Sequence, residues 1–208
     1  MAGDDFGVAR SELLKWLGAA MLVPDDRQSA LLGRFQHLQR LKLIEGINPG
    51  RGKAATYGAH QVVILAVAFQ MLQLGLSPER AVHTIRLNQD RLRHAIGLAV
   101  NHNGQINPSV IWFDPAAITL TFDDDDLAEA TFDFGGLGTG AAAFKDMLLT
   151  GWVQRLAFIS VSGTLFHLVA VLEQYDALQA HPQITERSRP FLSALYSWHA
   201  NSSPDDLT

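Results

Sequence analysis

Residues 59 to 74, AHQVVILAVAFQMLQL, carry apolar side chains on nearly every face of a helix. A helix of that kind persists in water only where other elements cover it from all sides. It falls short of the roughly 20 apolar residues that a membrane span requires, so it is expected to be the buried centre of a folded unit. Gly75 closes it as a C-cap. Ser77, Pro78 and Glu79 then open the next helix, with a capping hydroxyl, a proline at the first helical position and an acid in the first turn. That helix is expected to run to about Ile96.

Two shorter helices precede the apolar one. Ser11 is positioned to cap SELLKWLGA, whose Leu13, Leu14 and Leu17 recur at helical spacing and whose Gly18 marks the end. After the turn at Pro24, Asp26 is the expected cap of a second helix from Gln28 to about Leu43. Leu31, Leu32, Phe35, Leu38 and Leu41 face inward in this reading, and Arg34, His37 and Arg40 face outward. The stretch GINPGRGKAATYGAHQ (46 to 61) then places Asn48, Pro49, Gly50 and Gly52 in a tight turn between short extended arms that end at Thr56 and Tyr57. This is the chemistry of a small β-wing.

Charge separates the halves. The chain carries a net −5. Residues 1 to 100 hold 12 Lys/Arg against 8 Asp/Glu, a balance of +4, whereas residues 101 to 208 hold 4 against 13, a balance of −9. Within residues 27 to 53, Arg27, Arg34, Arg40, Lys42, Arg51 and Lys53 face Glu45 alone. Such a cluster on a helix and a glycine-rich turn is a candidate footprint for a polyanion.

Beyond Val100 the pattern changes to short runs: VIWF (110 to 113), ITLTF (118 to 122) and ATFDF (130 to 134), expected as antiparallel strands. A helix around 141 to 150, an apolar strand LAFISV (156 to 161), a helix from Ser162 through Leu178 and a last helix near 190 to 199 complete the half. The expected fold class is α+β. Residues 1–97 form a winged helix-turn-helix, residues 98–200 a small α+β domain for dimerisation or effector binding, and residues 201–208 a flexible tail.

The order helix, turn, basic helix, basic wing, apolar helix and Ser-Pro-Glu helix resembles the MerR-type DNA-binding domain over about 45% of the chain. Arg40, Leu43 and Ile44 match the family's recognition-helix turn, Arg51 to Tyr57 its wing, and Leu74, Gly75, Leu76, Ser77, Glu79 and Ile85 the opening of its last helix. The family's paired tyrosines correspond to His37 and Leu38, and its long coiled coil is replaced here by the α+β half. Activator and repressor both stay open. The resemblance implies double-stranded DNA as partner. Arg34 and His37 are assigned to the groove, with Arg27, Arg40, Arg51 and Lys53 on phosphates and Tyr57 as either a further phosphate contact or a tyrosine at the edge of the core.

Other motifs carry less. GLGTGA (136 to 141) fits a dinucleotide pattern but lacks an acid about 20 residues on. Asp123 to Asp126 lack the spacing of a calcium loop, and Ser160 and Ser162 lack a nucleophile elbow. The eight histidines form no metal-spaced pair, and there is no cysteine. The reading is therefore a cytoplasmic transcriptional regulator without enzyme activity, metal or cofactor, with a homodimer on two half-sites expected and an effector unspecified. The alternatives are a small-molecule-binding protein or enzyme built on the C-terminal half, and a protein-interaction adaptor. Phe191, Leu192, Leu195 and Trp198 of the last helix are the expected dimer face.

Overall fold

The computed structural model describes residues 6–44, 55–115, 132–150, 156–174 and 184–200. Arg51 and Lys53, the tip of the expected wing, lie outside these residues, as do the 118 to 122 strand, the four aspartates and residues 201–208. A short strand β1 (Val8–Ala9) leads into α1 (Arg10–Ala20), a single 3-10 turn (Asp25–Arg27) and α2 (Gln28–Arg40). Strand β2 (Thr56–Tyr57) returns to pair antiparallel with β1, Val8 opposite Tyr57, immediately before α3 (Ala59–Gln73). Helices α4 (Pro78–Leu87) and α5 (Gln89–Ala99) follow. The remainder alternates strand and helix: β3 (Val110–Phe113), β4 (Asp133–Gly135), α6 (Leu137–Thr150), β5 (Ala157–Ser160), α7 (Val161–Glu173) and α8 (Arg189–Ala200). The result is mixed α and β, with two small antiparallel sheets among the described residues. None of these helices is long and apolar enough to cross a membrane.

Helix α3 is buried from Val62 to Phe69 without interruption, as its all-round apolar character requires. Helices α1, α4, α7 and α8 pack around it. Gly75 closes it with φ +95, the left-handed geometry that a glycine adopts without steric penalty. Ser77 caps α4 by accepting a hydrogen bond from the Arg80 amide.

Several boundaries differ from expectation for local reasons. Asp26 does not cap α2: it lies in the 3-10 turn, and the helix starts after Arg27 with no side-chain cap. Helix α1 begins before Ser11 and runs through Gly18 to Ala20. Leu32 is 38% exposed rather than inward. The helix expected from Pro78 to Ile96 is two helices, broken at Asn88 (φ −115, ψ 30), whose side-chain amide donates back to the Thr84 carbonyl. The cap of α7 is Ser160, which accepts from the Gly163 amide, whereas Ser162 is tied into the buried Ser109 backbone. Of GLGTGA, Leu137 to Ala141 form the start of α6, with Gly136 just ahead of it. A Cβ on Gly140 would come within 2.8 Å of Val110 and 3.4 Å of Trp112, so the glycine there lets α6 lie close on the sheet.

Strand β3 is central in the order β4-β3-β5. Its four residues are all buried because both sheet faces are covered. Ile111 and Phe113 join the main core, and α6 lies over Val110 and Trp112.

The main core does not divide at residue 97. Leu13 and Leu17, the α3 residues, Leu92 and Ile96, Ile111, Leu165 and Leu168, and Phe191, Leu192 and Leu195 form one contiguous cluster. Trp16 Nε1 donates to the Leu168 carbonyl at 2.9 Å across 152 residues, and Phe6, Trp16 and Phe191 meet ring to ring. The expected boundary between 1–97 and 98–200 is thus a change of sequence pattern, not a break in packing. The expected dimer face is corrected in the same way: Phe191, Leu192 and Leu195 are at most 1% exposed, because α8 lays them against the chain's own helices.

Candidate nucleic-acid interface

Helix α2 turns Leu31, Phe35 and Leu38 into the core. At 100° per residue, Ser29, Gly33, Gln36 and Arg40 fall on the opposite face. All four are exposed. Arg34 is also exposed, but on the flank of the helix, about 120° round from that face on the same spacing, and Arg27 is exposed in the turn ahead of the helix, within 3.6 Å of the Asp26 carboxylate. The helix itself contains no acidic residue.

Two contacts fix the helix by its flanks. On one side, the Gln39 amide donates to the Tyr57 hydroxyl at 2.5 Å, while Tyr57 itself is 1% exposed and stands beside Phe35. Burial pushes the Tyr57 hydroxyl above the ordinary tyrosine value, against the pull of Arg10 and Gln39. Tyr57 is therefore a core residue that aligns β2 with α2, and its expected place on a phosphate is corrected. On the other side, His37 Nε2 stands 3.0 Å from a Glu79 carboxylate oxygen at the start of α4. A backbone hydrogen bond and the contact with His37 hold the Glu79 carboxyl below its ordinary value, against the opposing effect of burial. The half-exposed His37 is thus drawn to the flank next to α4, away from the outermost line of the helix.

The end of α2 is held from a distance. The chain turns at Lys42 in the left-handed region (φ 56), with the Leu41, Lys42 and Leu43 amides bonded back to His37, Gln39 and Leu38 carbonyls. The Arg86 guanidinium on α4 donates to the Leu41 and Lys42 carbonyls at 2.9 and 2.6 Å. A cation at the negative end of a helix dipole stabilises that end. Arg10, at the start of α1, lies 5.4 Å from the centre of the Phe35 ring.

Of the residues assigned to DNA from the sequence, Arg27, Arg34 and Arg40 are exposed: Arg40 on the outer face of α2, Arg34 on its flank and Arg27 in the turn ahead of it. His37 is half-exposed and paired, Tyr57 is buried, and Arg51 and Lys53 are outside the described residues. Gln36 and Gly33 were missed, although the spacing of Leu31, Phe35 and Leu38 points away from both. Arg86 had no local signal, since its partners lie 44 and 45 residues away. Among the described residues no group of three or more histidines and carboxylates could hold a metal ion. No family model, no curated protein and no solved structure matches this chain.

Proposed function

We propose that the protein binds double-stranded DNA as a sequence-specific transcriptional regulator, with α2 as its recognition helix. The observation that carries this reading is the outer face of α2. It is polar, free of acids and uncovered by the other described residues, and it presents a glutamine and an arginine one turn apart, Gln36 and Arg40. Those two side chains suit major-groove base edges, a glutamine on adenine and an arginine on guanine. The order strand, helix, helix, strand, helix, with β1 paired to β2 on the far side of the 45–54 segment, supports the winged reading. Arg27 and Arg34, with Arg51 and Lys53 from that segment, take phosphates. A homodimer on two half-sites would provide affinity beyond that of one short helix.

The test begins by enriching duplexes from a random pool and measuring affinity by fluorescence anisotropy over a series of salt concentrations. Gln36→Ala is expected to weaken the enriched duplex by about 1–3 kcal/mol and to leave random duplex unchanged, because it removes a base contact. Arg51→Ala with Lys53→Ala is expected to weaken both alike and to make the salt slope shallower by about two. No enrichment, or binding that ignores salt, overturns the reading.

A further inference from the structure

Two clefts open side by side on the turn that joins α1 to α2. One, of about 310 Å³, lies between Met21 and Leu22 of the turn, Gln70 and Gln73 of α3, and Thr164 and His167 of α7. The other, of about 200 Å³, lies between the same turn, Phe69 and Gln73 of α3, and Arg27 and Arg34 of α2. Met21, Leu22 and Gln73 line both, so the two are one groove. Leu22 is its most unusual residue: it sits at φ 52, in the left-handed region that leucine seldom occupies, and is 56% exposed. The Gln70 amide is already committed to the Thr164 hydroxyl at 2.6 Å, which leaves Gln73 as the exposed carboxamide at the junction. The lining residues of the two clefts include two guanidiniums and no carboxylate; Asp26, beside Arg27, is not among them.

A few hundred Å³ lined by apolar side chains together with carboxamide, hydroxyl and guanidinium groups falls in the size range of a small-molecule site. We infer that this groove binds a small amphipathic organic acid. Its apolar body covers Met21, Leu22 and Phe69, its anionic end meets Arg34 and Arg27, and Gln73 supplies a hydrogen bond between them. Both arginines are among the cations proposed to take phosphates, so an occupied groove withdraws two of them from DNA. That coupling rests on the DNA reading; the binding itself does not.

Naphthoate and its neutral amide serve as probes, titrated into the ¹⁵N-labelled protein without DNA and followed by amide NMR. The expected result is saturable shifts at Leu22, Gln73 and Arg34 with naphthoate, and about tenfold weaker binding of the amide, the worth of one charge-assisted hydrogen bond. Arg34→Gln should remove that preference. Gln73→Trp, at an exposed helix position common to both clefts, should abolish the shifts while the rest of the spectrum stays that of the folded protein. Equal binding of acid and amide, shifts that survive Gln73→Trp, shifts centred on the exposed Leu137, Phe144 and Leu149 of α6, or no shifts at millimolar probe would overturn the proposal. Adding naphthoate to the DNA titration then separates the two readings. A groove that binds in a protein without DNA affinity removes the regulator reading alone, and DNA binding without a groove removes this one alone.

Discussion

Glu173 ends α7 and anchors the start of α8. Its carboxylate accepts from the Thr185 and Ser188 amides and from both of their hydroxyls. Burial pushes the carboxyl up, but the donors from Ser188 and Thr185 outweigh it and hold its pKa down to about 2. A carboxyl depressed in the folded state stabilises the fold above its ordinary pKa of about 4.5, and that contribution is lost as pH falls toward 2. Glu173→Gln is therefore expected to lower the melting temperature at pH 7, with a gap from wild type that closes between pH 4.5 and 2; a constant gap would mean the charge is irrelevant. Gly33 invites the opposite experiment. It lies mid-helix, exposed, with open space where a Cβ would stand. Gly33→Ala should raise stability by about 0.5–1 kcal/mol, since glycine is the poorer helix former. If α2 enters a groove, the same change should weaken DNA binding, and the paired melts and anisotropy read both effects.

Helix α8 is docked by aromatic and cationic groups as well as by its apolar face. His60 of α3 stacks on Trp198 at 4.9 Å, and Arg93 of α5 lies over the same indole at 4.9 Å and donates to the Trp198 carbonyl. His199 meets His94 at 5.5 Å, and the His94 ring nitrogen bonds the Asp90 carbonyl. Burial first, then Arg93, lowers the His60 pKa; burial, then His94 and Arg93, lowers that of His199. Histidines depressed when folded favour the fold fully above their ordinary value of about 6.5, and stability falls as pH drops below it. His60→Phe keeps the stack and removes one titration, so its denaturation midpoint should decline less than wild type between pH 7 and 5. Equal decline would exclude His60 as a source. What the sequence disclosed about such elements follows from the range of the cause. The Ser77 cap, the Gly75 stop and the strand at VIWF act within a few residues and were readable. The break at Asn88, the Arg86 clamp on α2 and the burial of Phe191 depend on partners distant in sequence, and no local pattern announces them. Tyr57 reads from sequence as either a phosphate contact or a core-edge residue for the same reason, since only the approach of Gln39 and Phe35 decides for the core.

Across the whole molecule, one core serves both halves. Deleting residues 183–208 would remove Phe191, Leu192 and Leu195 and uncover Phe6 and Trp16. Three fully buried large side chains contribute several kcal/mol, at about 1.5–3 kcal/mol each, a large share of a typical domain's stability. The truncated chain is expected to unfold or aggregate, and the full chain to melt in a single transition in which tryptophan fluorescence and circular dichroism coincide. Two separated transitions would restore an independent unit at 1–97. The tie from Trp16 to Leu168 and from Phe6 to Phe191 also sets an order of events during synthesis. Helices α1 to α5 leave the ribosome first, yet the apolar surfaces of α1 and α3 stay uncovered until α7 and α8 have been made. At about 5–20 residues per second that interval lasts on the order of ten seconds. Throughout it the nascent chain displays α3, its most apolar segment, to whatever else is in solution, so chaperone demand should track the time taken to translate the second half.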